Sequence, residues 1–223
     1  SKMHEHISDK DLAAYPSFKE IESKLKEIAQ INPNIVKLFS IGKSVEGRDL
    51  WVLKISDNVN VDEVEPEIKY ISSMHGDEIV GRELTWMFAK DIIEAYGTDK
   101  SISELIDSTE IYIMPSMNPD GSHYKQRANA NGYDLNRNFP DWKRGDQNNQ
   151  SNRQIETKHL MNFQAARNFS LSANFHGGSV VVNYPWDNTY DKHPYDDLLQ
   201  EISLAYSELN QPMYNSYSFD QGI

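Results

Sequence analysis

Residues 67–88 read EIKYISSMHGDEIVGRELTWMF. The run from Glu67 has the apolar density of a buried strand, and from about 78 to 96 the pattern shifts to helical spacing, with Leu84, Met87, Phe88 and Ile92 expected to face inward. The joint between the two carries His75, Asp77 and Glu78. A His-x-x-acid pattern is cheap: 7 His and 16 Glu in 223 residues give, by chance, about half of one His-x-x-Glu pair (7 × 16/223). Two acidic look-alikes, His6 to Asp9 and His193 to Asp196, are present as well. The rest of the chain has to say whether His75 and Glu78 differ from these.

Upstream, Phe18, Ile21, Leu25 and Ile28 recur at helical spacing across residues 17–31, and Pro33 stops them. Residues 35–41 and 50–55 are β-branched or aromatic runs around a Glu46-Gly47 turn, which predicts a hairpin. Downstream, residues 111–114 predict a strand that ends in the turn Asn118-Pro119-Asp120-Gly121. Residues 122–152 are polar and Asn-rich without periodicity, too long for a mere connector. A helix over 153–168 leads into SLSANFHGGSVVVNYPWD (170–187), read as two short strands about Gly177-Gly178. A last helix over 195–209 precedes an extended stretch at 213–219.

Strands alternating with helices predict an α/β fold: a mixed, mostly parallel twisted sheet with helices on both faces, in one domain over 1–223. In such sheets ligands gather beyond the carboxyl ends of the strands. His75, Asn118 and His176 each follow a predicted strand directly, an address that neither His6 nor His193 shares.

Composition narrows the function classes. Hydrophobic content of 38% and aromatic content of 11% describe a globular chain, and no window approaches eighteen apolar residues, so no membrane span is expected. The formal charge of −12 repels phosphate backbones, which argues against a nucleic-acid partner and favours cationic substrates. Zero cysteines exclude disulfides, a thiol nucleophile and any Cys-based metal site. The first six residues lack the apolar run of a signal peptide. The sequons at Asn149 and Asn168 are what an Asn-rich chain yields by accident. Nothing in the pattern speaks to oligomeric state.

Residues three apart at a helix entry present side chains on the same side, so His75 and Glu78 suit one metal ion. His176, 98 residues beyond Glu78 (176 − 78) at a strand end, would supply a third donor. Two imidazoles and a carboxylate leave a tetrahedral position open, the pattern of catalytic zinc. The plain alternative makes His75 a hydrogen-bonded core histidine and Glu78 a carboxylate favoured by the helix dipole. These residues alone leave both readings standing.

Four further stretches tip the balance. MHGDEIVGRE, MNPDG, QRANANGYDLNRNFPDW (126–142) and NFHGGSVVVNYPWD, in this order, resemble the zinc metallocarboxypeptidases, most nearly the regulatory branch of carboxypeptidases N, E and D. The likeness runs from about Tyr15 onward. It implies that His75, Glu78 and His176 hold one zinc ion; two His and one Glu is the donor set already known for carboxypeptidase A, so the count agrees with a known pattern. It implies that Asn136 and Arg137 hold a substrate's C-terminal carboxylate, a planar guanidinium meeting a carboxylate in two bonds. Arg127 would stabilise the oxyanion, and Asp134 would orient a zinc-binding histidine. For Arg137 the plain alternative is an ion pair with Asp134 or Asp141. Asp187, eleven residues after His176, would be a buried carboxylate receiving a basic side chain; its plain alternative is an ordinary loop Asp.

The implied activity is zinc-dependent removal of C-terminal residues, Lys or Arg by preference, from peptides or proteins, in a secreted or periplasmic setting. The family's proton-shuttling Glu and mobile Tyr lie beyond the 47 residues that follow His176 here (223 − 176), so the chain is expected to be a C-terminally incomplete catalytic domain. Two other functions fit the same corner: a zinc deacylase of N-acyl amino acids, and a catalytically inactive zinc- and peptide-binding module.

Overall fold

The computed structural model describes residues 15–141, 143, 145 and 149–223; His6 and Asp9 lie outside them. The chain divides into two compact units, Ser1–Gly177 and Gly178–Ile223.

The first unit opens with helix α1 (Phe18–Ile31). Ser17 Oγ accepts the Glu20 N–H at 3.3 Å while Glu20 Oε2 accepts the Ser17 N–H at 2.7 Å, a reciprocal cap for donors that a helix start leaves open. Ile21, Leu25 and Ile28 share its buried face, each contributing roughly 1.5–3 kcal/mol by leaving water. Strands β1 (Val36–Lys43) and β2 (Asp49–Ile55) form the antiparallel hairpin, with Val36 opposite Ile55.

With β3 (Glu67–Ser72), β4 (Glu110–Met114) and β5 (Phe169–Phe175) they build one sheet in the order β1-β2-β4-β3-β5. β2 is antiparallel to β4, whereas β3 is parallel to both β4 and β5. The sheet is mixed as expected; among the described strands its pairings divide evenly between parallel and antiparallel. Helices α2 (Ile79–Ala95) and α3 (Lys100–Ile106) join α1 on one face, over Leu53, Ile55, Ile111 and Ile113. Beyond α4 (Pro119–Tyr124), helix α5 (Ile155–Ala165) sets Leu160 in the cluster of the other face, with Val52, Tyr112 and Met114.

Helix α2 buries a different stripe from the one its apolar spacing predicts. Ile92 is inside, but Leu84, Met87 and Phe88 are exposed, and the inward face is Gly81, Thr85, Trp86, Ala89 and Ile93. At its first turns the helix lies close on the sheet: a Cβ at Gly81 would sit 2.6 Å from Ser72 Oγ. The 153–168 helix shortens to α5. The short helix α3, which the periodicity does not reveal, starts on an Asp99 cap whose side chain accepts the Ser101 and Ile102 N–H groups.

In the second unit, residues 180–183 form no strand; Val182 N–H donates to the Gly222 carbonyl at 2.8 Å instead of joining a ladder. Helix α6 (Asp196–Glu208) matches expectation. The stretch read as extended begins as a short helix α7 (Gln211–Tyr214), because Asn210 caps it through the Met213 N–H.

Candidate metal centre

The carboxyl ends of β3, β4 and β5 are level, Ile71 pairing with Met114 and Ser72 with Phe175. The loops leaving them open along one edge of the sheet. Glu78 is the cap position of α2, and His176 directly follows β5.

Their donor atoms converge. His75 Nδ1 lies 2.8 Å from Glu78 Oε1, His176 Nδ1 lies 2.9 Å from Glu78 Oε2, and the two Nδ1 atoms are 3.3 Å apart. His75 is buried, Glu78 half-buried and His176 exposed, so the cluster has an open side. Asp134 fixes the tautomer. Its Oδ1 is 3.1 Å from His75 Nε2, which can then carry the ring proton and leave the Nδ1 lone pair turned toward Glu78 and His176. Imidazole lone pairs and carboxylate oxygens aimed at one place suit a cation with nitrogen and oxygen ligands, so the residues fit zinc.

Burial works to raise the Glu78 carboxyl, but its contacts with His176, the Gly177 N–H and His75 outweigh it and leave the group below its ordinary value. Asp134 behaves likewise: burial raises it, and Arg127, the Asn136 N–H and the nearby His75 ring bring it down. Both carboxylates are thereby held ionised.

Arg127 flanks the cluster. Its Nε donates to Asp134 Oδ2 at 2.9 Å, its Nη1 is 3.6 Å from Glu78 Oε1, and 47% of the side chain faces solvent. Asn136 and Arg137 stand exposed on the 3-10 turn Leu135–Arg137, where Arg137 Nη1 donates to the Asn136 carbonyl at 3.0 Å. The Asp134 carboxylate therefore pairs with Arg127, not with Arg137. Asp187 belongs to the second unit and is exposed, not buried as expected, because it lies in irregular chain before α6. The look-alike His193 is a turn residue: its Nδ1 accepts the Tyr195 N–H at 3.0 Å, and its ring meets those of Trp186 and Tyr195.

A second gathering of carboxylates, Asp62, Glu67 and Glu110, lies at the amino ends of β3 and β4. Lys54 Nζ is 2.6 Å from Glu110 Oε1, Tyr112 donates to Glu110 Oε2 at 2.6 Å, and Arg167 Nη1 reaches Asp62 at 2.8 Å and Glu67 at 3.3 Å. The chain's own cations balance this group.

Sheet and donor cluster together define a zinc-peptidase-like α/β protein, and comparison with known proteins gives the family. Residues 21–223 match the zinc carboxypeptidase family, and the chain belongs to it. Carboxypeptidase D of Mus musculus is 44% identical over 232 residues, a match covering 95% of this chain and 16% of that protein. Carboxypeptidase M of Mus musculus is 42% identical, covering 91% of this chain and 51% of its own length. The carboxypeptidase N catalytic chain of Homo sapiens is 37% identical, with 86% and 52% covered. The chain thus spans about half of these last two and a sixth of the first. Carboxypeptidase A from Helicoverpa armigera shares the fold, with a TM-score of 0.78 at 23% identity over 94% of this chain and 56% of that one. So does thrombin activatable fibrinolysis inhibitor, at 0.77, 20%, 97% and 61%. No helix among the described residues is long and apolar enough to cross a membrane.

Proposed function

We propose that this chain is a catalytic domain of a zinc-dependent exopeptidase that removes C-terminal residues, Lys or Arg by preference, from peptides or proteins. The observation that carries the reading is the meeting of His75, Glu78 and His176 with Arg127 beside them. The three would hold one zinc ion. When bound, zinc polarises a carbonyl and makes a water acidic enough to attack near neutral pH.

The chain's own residues do the rest. Asp134 holds the His75 ring in one orientation and pairs with the Arg127 Nε, so that the guanidinium, its Nη1 3.6 Å from Glu78 Oε1, would stand beside the metal corner to meet an oxyanion. Asn136 and Arg137, exposed on their turn, would grip the terminal carboxylate, so that only chain ends fit. Asp187 would receive the basic side chain. The base that takes the water's proton is not assigned; Glu201 and Glu208, the glutamates after His176, are exposed on α6 and take no part in this proposal. The basic preference draws its support from the likeness to carboxypeptidases D, M and N, and the proposal includes a secreted or periplasmic location, which fractionation of the source cells would test.

Incubating the full-length protein with peptides ending in Arg, Phe or Glu tests the activity. Chelator-sensitive release is expected, fastest from Arg. Release of no terminal residue would sink the proposal. Free acid released from N-acyl amino acids, with peptides untouched, would favour the deacylase; zinc and peptide binding without turnover would favour the inactive module.

A further inference from the structure

We propose that Asn118 is a positioning residue that sets Arg127 against the metal-binding corner; the inference rests on the carboxypeptidase reading above. Asn118 follows β4 and is wholly buried. At the cap of α4 its Oδ1 accepts the Gly121 N–H at 2.9 Å, which an ordinary capping residue would do. Its Nδ2 does more. One carboxamide nitrogen donates to the Met74 carbonyl at 3.3 Å and to the Arg127 carbonyl at 3.2 Å.

Met74 adjoins His75, so a single side chain ties the backbone of the ligand loop to the backbone of the arginine. The Asn118 N–H adds a bond to the Ser73 carbonyl at 3.0 Å, and the Gly76 N–H reaches the Arg127 carbonyl at 3.3 Å. These segments are in backbone contact. A Cβ on Gly76 would lie 2.0 Å from the Gly121 carbonyl carbon, and one on Gly121 would lie 2.5 Å from Asn118 Nδ2.

Few side chains replace this one. Serine can cap α4 but is too short to span both carbonyls; aspartate has the shape but would aim an oxygen at two oxygens. Since Arg127 acts on charge that develops during reaction, displacing it by a fraction of an ångström affects turnover more than substrate binding.

The test uses the full-length protein and a peptide ending in Arg. Asn118→Ser is expected to keep stoichiometric zinc, to leave KM within about twofold, and to lower kcat by about ten- to a hundredfold. In an Arg127→Ala background the same substitution should change kcat by less than about threefold, because the group it positions is gone. Undiminished loss in that background, loss confined to KM, unchanged kcat or loss of zinc would each overturn the inference. Should Asn118→Ser fail to fold, judged by circular dichroism, Asn118→Asp enters the same cycle with the same expectations. An inactive wild type would overturn the proposed function and this inference with it; an active wild type without coupling would overturn this inference alone.

Discussion

Strands β3 and β4 lie side by side and carry a group of carboxylates at each end. At their amino ends Glu67 and Glu110 are register partners, and Lys54, Tyr112 and Arg167 meet the carboxylates in direct bonds. Beyond their carboxyl ends stand Glu78 and Asp134, and there two imidazole nitrogens face each other 3.3 Å apart across the Glu78 oxygens. The first group is closed: protons and positive charges of the chain satisfy it. The second has lone pairs aimed at a shared place and an open side. Clustered acid is therefore no mark of a metal site by itself; nitrogen and oxygen lone pairs with one common target are.

The strongest way to break this contrast is to remove a donor. His176→Ala or His75→Ala should abolish stoichiometric zinc, read by atomic absorption after dialysis, and hydrolysis with it. Full zinc in His75→Ala would mean the ligands are wrongly assigned. At the other end, Lys54→Met leaves the buried Glu110 charge short of its main partner and should cost about 3–5 kcal/mol of stability while zinc content stays unchanged. Burial raises Glu110, but Lys54, Tyr112 and the Glu63 N–H outweigh it and hold the carboxyl below its ordinary value. Its contribution is thus present above the usual glutamate range, about pH 4.3, and lost as pH falls through the lower folded value. Urea midpoints should drop more steeply below that range in the wild type than in Glu110→Gln; parallel curves would contradict the assignment.

Smaller effects sharpen the comparison. Asp134→Asn should weaken zinc by about ten- to a hundredfold, as loss of a partner to a ligating histidine does, and an unchanged affinity in competition with a chelating dye would tell against the His75 tautomer drawn here. Asp187→Ala should be the mildest. An exposed carboxylate pairs with a cation for roughly 0.2–1 kcal/mol, so kcat/KM for Arg-ending peptides should fall by no more than about fivefold and that for Phe-ending peptides not at all. Equal losses on both would withdraw the basic preference.

Much of the frame was legible because its signals are local. The hairpin, β3, β4 and α1 follow from alternation and helical spacing, and His75 and Glu78 from one short run. The inward face of α2 was not, since Gly81, Thr85 and Ala89 on it carry little hydrophobic signal, and at Gly81 the helix comes close to the sheet. Residues 180–183 have strand composition but no neighbouring ladder, a fact only the fold reveals. Spacing placed His176 at a strand end, whereas Arg127 and Asp134 came to notice through family likeness, and their mutual bond depends on a turn between them. Asn118 was read as a turn residue after a strand; its two Nδ2 bonds join segments far apart in the chain.

β5 is one of the two edge strands of the described sheet, held by β3, and Ser170, Leu171, Ser172 and Asn174 along it are exposed. His176 is the next residue, while His75 and Glu78 belong to the neighbouring corner between β3 and α2. An ion shared by all three would work as a clasp at the margin of the described sheet, fastening the end of β5 to the corner between β3 and α2 in a chain with no cysteine for a disulfide. Such a clasp adds about 2.7 kcal/mol when free zinc is a hundred times its dissociation constant. Stripping the ion should therefore speed amide exchange in β5 ahead of β2 and β4, and an even response across all three strands would show that the margin stands without it.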